Sequence, residues 1–226
     1  GAALYVAHNL KNEDRNTTFN SSYLGPSFSD EEIQKTLERR KIIYEKVEDI
    51  PKTVADILSR GEIIARFNGR MEFGERALGN RSILADPRAK NIKDKINSII
   101  KYRESYRPFA PVVTQEKVCN YFDVSETFTC NYMEKVVQIK KEFHKELPAV
   151  THVDGSGRVQ TVNEKHNPSF YQIIKEFELI TGLPIVLNTS FNIAGEPVVL
   201  SPDDALSTFY NSGLEYLMIG GFLVKK

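Results

Sequence analysis

Residues 182–192 read Gly182-Leu183-Pro184-Ile185-Val186-Leu187-Asn188-Thr189-Ser190-Phe191-Asn192. The apolar run Pro184 to Leu187 predicts a strand buried on both faces, and the glycine ahead of it marks the end of a helix. That helix opens at Asn167-Pro168, an N-cap followed by a proline in the first turn. Downstream, Ser201-Pro202-Asp203-Asp204 opens a last helix that closes at Gly213, ahead of strands at Tyr216 to Ile219 and Phe222 to Val224. Helix, buried strand, helix and further strands in succession predict an α/β (α+β) fold built on a mixed sheet with flanking helices.

Upstream the same alternation continues. Ser29 and Glu32 stand in the reciprocal positions of a capping box, so a helix runs from there to about Arg40, followed by a short strand over Ile42 to Val47. Pro51 begins a second helix, with Val54, Ile57 and Leu58 on one face and Gly61 past its end. Glu62 to Phe67 and Ser82 to Ala85 read as core strands around a charged loop, Lys90 to Ile100 as a helix, and Phe109 to Val113 as a strand. Ala149 to Val153 and Arg158 to Val162 flank Asp154-Gly155-Ser156-Gly157, a hairpin signal that would put His152 and Asp154 on one side of a strand. Residues 11–28, polar and ending in Gly25-Pro26, read as a connecting loop, and the opening Gly1 to Ala7 reads as the middle of a helix. We expect a chain that continues something longer.

Composition narrows the function classes. Of 226 residues 41% are hydrophobic, enough for a substantial core, which argues against disorder. Lysine and arginine balance aspartate and glutamate at 30 each, so no overall field draws the protein to nucleic acid or anionic lipid. Two cysteines, Cys119 and Cys130, make neither a disulfide framework nor a metal spacing, and a reducing cytoplasmic setting is expected. No apolar run reaches the roughly 18 residues of a membrane span. Residues 60–107, however, hold twelve basic side chains against six acidic ones, mostly arginines in loop and strand sequence. Clustered arginine supplies rigid forks for phosphate or carboxylate oxygens.

Four segments carry the chemistry. Residues 69–82 hold three glycines with Arg70, Arg76 and Arg81, a loop that can approach a ligand closely; Glu75-Arg76 stands where a P-loop needs lysine and a hydroxyl. The competing structural reading pairs Glu72 and Glu75 with those arginines. Lys101, Arg103 and Arg107 follow a helix C-terminus, where a helix dipole would account for one cation rather than three. Asn188, Thr189, Ser190 and Asn192 lie at a strand end, where open α/β sheets bind ligands, or else close a turn there. Arg158 and Gln160 belong to the predicted hairpin.

Residues 69–88 (GRMEFGERALGNRSILADPR), 101–113 (KYRESYRPFAPVV), 151–162 (THVDGSGRVQTV) and 187–192 (LNTSFN) together resemble the C-terminal half of the O-carbamoyltransferases that act on Nod factors, aminoglycosides and cephems. Glu75 departs from the family, which usually has proline there. The resemblance implies a YrdC-like twisted open mixed sheet over residues 55–226, a connecting helix and strand over 29–54, and in residues 1–28 a remnant of an N-terminal actin-like domain and its linker. It implies that this domain uses carbamoyl phosphate and ATP with magnesium to form carbamoyl adenylate. The N-terminal domain of the same polypeptide would then transfer the carbamoyl group to a hydroxyl of a small-molecule acceptor. Arg76, Lys101, Arg107, Arg158, Asn188 and Ser190 match positions associated with these ligands, and no metal-ligating residues are assigned. To them the residue-level reading adds Arg70, Arg81, Arg103, Thr189 and Asn192. Two other classes compete: an RNA-binding module, disfavoured because Phe67, Phe73 and Phe109 sit in apolar context, and a catalytically silent scaffold.

Overall fold

The computed structural model describes residues 1–15, 21–104 and 106–226. Nine strands form one sheet in the order β1-β9-β8-β2-β3-β7-β4-β6-β5. They are β1 Glu45–Lys46, β2 Ile64–Phe67, β3 Arg81–Ala85, β4 Ala110–Thr114, β5 Lys135–Gln138, β6 Ser156–Val162, β7 Ile185–Ser190, β8 Tyr216–Ile219 and β9 Phe222–Lys225. The pairs β2/β8 and β4/β6 are parallel and the others antiparallel, so the sheet is mixed as expected. β2, β3, β4 and most of β7 are buried along their length, which is why they read as apolar runs rather than alternating ones.

The helices are α1 Ala2–Tyr5, continued by a π-turn Val6–Leu10, α2 Asp30–Arg39, α3 Ile50–Ser59, α4 Ile92–Ile96, continued by a π-turn Asn97–Lys101, α5 Val118–Tyr121, α6 Pro168–Thr181 and α7 Pro202–Tyr210. The local signals act as read. Ser29/Glu32 and Ser201/Asp204 both close reciprocal capping boxes, and Asn167 Oδ1 accepts from the Phe170 amide at 3.0 Å. Gly182 ends α6 in the left-handed region at φ 77°. α6 buries Phe170, Ile173, Ile174 and Phe177, the i, i+3, i+4, i+7 stripe, and packs against α3. Each such side chain contributes about 1.5–3 kcal/mol, so Phe177→Ala alone would cost roughly 3–5 kcal/mol.

Four expectations are corrected. Ala149 to Val153 is not a strand; the antiparallel partner of β6 is β5, an edge strand whose exposed Lys135 and Gln138 hid it from an apolar search. His152 and Asp154 therefore share no strand face. They sit in the turn before β6, where Asp154 Oδ1 accepts from the Ser156 amide and hydroxyl at 3.0 and 2.7 Å, and His152 Nδ1 meets Ser156 Oγ at 3.0 Å. The strand over Ile42 to Val47 shrinks to the two residues of β1. Phe73 is not in apolar context: 76% of it is exposed, whereas Phe67 and Phe109 are buried. Within the connecting loop, residues 16–20 lie outside the described residues, while 21–26 run alongside the arginine loop: Gly25 N donates to Met71 O, Met71 N to Pro26 O and Phe73 N to Ser22 O. Among the described residues no helix is long and apolar enough to cross a membrane.

Candidate functional site

The side-chain alternation of three neighbouring strands lays out the floor of one cleft. Ala110 on β4 pairs with Asn188 on β7, and stepping back two residues from the Val112↔Gln160 pairing brings Arg158 on β6 level with Ala110. A small residue thus separates an arginine from an amide, and Arg158, Ala110 and Asn188 all line the same cleft. Pro108, Phe109 and Met133 supply its apolar wall, and Thr189 and Ser190 its polar end.

The loop between β2 and β3 adds Glu75, Arg76 and Ala77 to the lining. Its conformation is set from inside. Glu72, 5% exposed, directs Oε1 at the amides of Leu78 (2.7 Å), Asn80 (2.8 Å) and Arg81 (3.4 Å). On the carbonyl side, Asn188 Nδ2 donates to Ala77 O, Gln160 Nε2 and the Tyr23 hydroxyl donate to Leu78 O, and fully buried Arg66 donates to Gly79 O. Burial pushes Arg66 and Arg81 down to about 10, opposed in Arg66 by Tyr23 and Glu72 and in Arg81 by Glu72. A Cβ on Gly79, at φ 115°, would run into the Phe170 ring, so glycine is required there.

The third segment comes from the end of the π-turn. Lys101 is 5% exposed, and its Nζ donates to Ser190 O (2.6 Å), Ser190 Oγ (3.3 Å), Asn192 O (3.0 Å) and Asn192 Oδ1 (2.7 Å). Burial and the charge of Arg103 push this ammonium down to about 7, while four neutral oxygens around it favour the charged form. Arg103 is steadied by its Nε–H bond to Asn97 Oδ1 (2.8 Å) and by stacking 4.9 Å over Phe109. Burial lowers the pKa of Arg158, with Arg76 adding to the effect and Glu75 opposing it; Arg103 is lowered by burial, then by Arg107 and Arg158, with Glu104 opposing. These neighbouring positive charges disfavour one another, a repulsion that an anion in the cleft would relieve.

The expected site residues separate into three groups. Arg76, Arg103, Arg158, Asn188, Thr189 and Ser190 line the cleft, with Lys101 and Asn192 fixing Ser190 from behind. Arg107 does not line it; its Nε lies 3.2 Å from Glu104 with both side chains about half exposed. Arg70 and Arg81 do not reach it either. Arg70 donates to Leu24 O and Gly25 O, and Arg81 stacks 3.6 Å over Phe67 and donates to Asn68 O, so these two build the loop. Ala110 and Met133 went unread because a small residue and a methionine carry no ligand signal of their own, and Glu72, read as an ion-pair partner for the loop arginines, instead accepts from the amides of Leu78, Asn80 and Arg81. Two buried polar atoms lack partners at the cleft, Arg158 Nε and Asn188 Oδ1.

Residues 55–226 match the family model described as Carbamoyltransferase C-terminus. The chain is 42% identical to nodulation protein NolO of Bradyrhizobium diazoefficiens over 230 residues, covering all of this chain and 42% of that protein. It is 44% identical to an uncharacterized protein of Methanocaldococcus jannaschii over 90% of this chain and 34% of the relative. A 3'-hydroxymethylcephem-O-carbamoyltransferase of Amycolatopsis lactamdurans is 37% identical over 72% of this chain and 30% of its own length. The chain thus spans between about a third and two fifths of the first two relatives. Among solved structures, full-length HypF in its phosphate- and nucleotide-bound form superposes with a TM-score of 0.52 at 20% identity, over 75% of this chain and 21% of HypF, and the shared fold is the YrdC-like one. A family-model match over three quarters of its length, with relatives 42% and 44% identical over 100% and 90% of it, places this chain in the carbamoyltransferase C-terminus family.

Proposed function

We propose that this domain forms carbamoyl adenylate from carbamoyl phosphate and ATP, and that the N-terminal part of the same polypeptide, of which residues 1–28 are the end, passes the carbamoyl group to a hydroxyl of a small molecule. The observation that carries this reading is the convergence of Arg76, Arg103 and Arg158 on one cleft with Glu75 as the lining acid. Water releases inorganic phosphate from carbamoyl phosphate; the carbamate oxygen then attacks the α-phosphorus of ATP and pyrophosphate leaves. Both reactants are anions, so fixed guanidinium groups lower the cost of bringing them together and act more strongly as charge builds in the transition state. Arg158 offers a guanidinium for phosphate oxygens and Asn188 an amide that suits the carbamoyl group, both on the cleft lining. Lys101 holds Ser190 in place and Phe109 keeps Arg103 level with the cleft.

The described residues contain no group of three His, Cys, Asp or Glu able to hold a metal. That donor set suits magnesium carried on the nucleotide, which keeps most of its ligands as phosphate oxygens and water, with Glu75 the carboxylate within reach of the cleft. When bound, the ion would neutralise phosphate charge. Unpaired Cys119 and Cys130 and the use of ATP fit a cytoplasmic setting.

The test is ATP/pyrophosphate exchange by this chain. Exchange that requires carbamoyl phosphate supports the reading; no exchange and no ATP binding overturns it. A second reading, a single-stranded RNA site, is favoured by the exposed rings of Phe73, Tyr102 and Tyr106, which neighbour Arg76, Lys101, Arg103 and Arg107 along the chain. Oligonucleotide binding with a steep salt dependence, unaffected by Arg158→Lys, would select it.

A further inference from the structure

We propose that Glu75 makes the arginine cleft select metal-complexed polyphosphate over the free anion, as a specificity-determining carboxylate on the cleft wall. This rests on reading the cleft as a nucleotide site. Among the described residues Glu75 is the acidic side chain that lines the cleft, facing the same space as Arg76, Arg103 and Arg158. Its Oε1 lies 3.4 Å from Arg76 Nη2 while 82% of the side chain stays exposed. Such a contact is weak and yields to a better partner. Glu75 is also the group whose charge opposes the lowering of Arg158, which puts it within electrostatic range of a second cleft arginine.

A cleft with guanidinium groups alone would grip any phosphate. With Glu75 present, an incoming phosphate must displace the carboxylate from Arg76 and then share the cleft with it. A metal-free triphosphate leaves that carboxylate facing anionic oxygens. A magnesium complex cancels two of the negative charges and brings a cation for the carboxylate to face, so the same displacement leaves no like charges opposed. Glu75 thereby penalises the free nucleotide more than the complex. The glycine before it, Gly74 at φ 136°, lets the backbone carry this charge beside Arg76 in a conformation that other residues rarely adopt.

The test is calorimetric binding of ATP to the 226-residue chain, once in EDTA and once in excess magnesium chloride at matched ionic strength, for the parent, Glu75→Gln and Glu75→Ala. A thermal melt confirms that these surface variants fold. The expected result is that both variants gain about tenfold in affinity for metal-free ATP and less than about threefold for the magnesium complex. An equal gain in both conditions means that Glu75 only competes for Arg76, and overturns the assignment. An unchanged metal preference with intact ATP binding overturns it too and leaves the nucleotide reading standing. Absence of ATP binding by parent and variants in either condition overturns the nucleotide reading and this assignment together.

Discussion

The Asn188 side chain donates to the carbonyl of Ala77 at 2.9 Å. One of the central strands of the sheet therefore grips the backbone directly beside Arg76, and a loop of charged residues inherits the rigidity of the core. A site that must hold several cations near one another needs that rigidity, because their mutual repulsion would otherwise splay the loop into solvent.

Arg158→Lys separates anion recognition from folding. Lysine keeps the charge but loses the planar fork and the Nε donor that is buried without a partner. Binding of ATP or carbamoyl phosphate should weaken by roughly 2 kcal/mol, with the melting temperature little changed. Titration calorimetry beside a thermal melt reads both; undiminished binding would remove Arg158 from the site.

Glu72→Ala should act on stability. It strips an acceptor from three backbone amides and a counter-charge from buried Arg66 and Arg81. A loss of about 3–5 kcal/mol is expected in urea unfolding. A loss below about 1 kcal/mol would mean that the loop is held by its carbonyl-side bonds alone.

Lys101 makes a prediction with a definite sign. Its folded value of about 7 lies below the ordinary 10.5, so between those pH values the folded chain binds fewer protons than the unfolded one. Stability from this group therefore rises with pH across that window, by at most about 1.4 kcal/mol per pH unit, while loss of the ammonium releases Ser190 and Asn192 and weakens ligand binding. Urea unfolding at pH 7.5 and 9.5 should show a steeper rise for the parent than for Lys101→Met. Equal slopes would mean that the four oxygens keep the ammonium charged throughout.

Gly79→Ala places a methyl against the Phe170 ring at a left-handed φ of 115°. Strain and overpacking together should cost roughly 2–5 kcal/mol. Thermal unfolding of the variant checks this, and a neutral result would show that α6 shifts to make room.

Much of this protein was set by short-range chemistry that a sequence displays. The capping box at Ser29, the helix start at Ser201, the Asn167 cap and the Gly182 stop each depend on residues within one or two turns, and all stand where they were read. Asn188 and Ser190 were legible as polar groups closing an apolar strand, though they lie within the last residues of β7 rather than beyond it. What only the tertiary structure decided is which arginine does what. Arg70, Arg76 and Arg81 share one loop and one chemistry, yet Arg81 stacks on Phe67, Arg70 ties down residues 24 and 25, and Arg76 alone enters the cleft. The same holds for Lys101, Arg103 and Arg107, which the fold assigns to the back, the wall and the outside of the site. A guanidinium is assigned by whatever aromatic face, carbonyl or carboxylate the packed core brings within about 3–6 Å of it, and such a partner can lie well outside the local sequence, as Leu24 does 46 residues from Arg70.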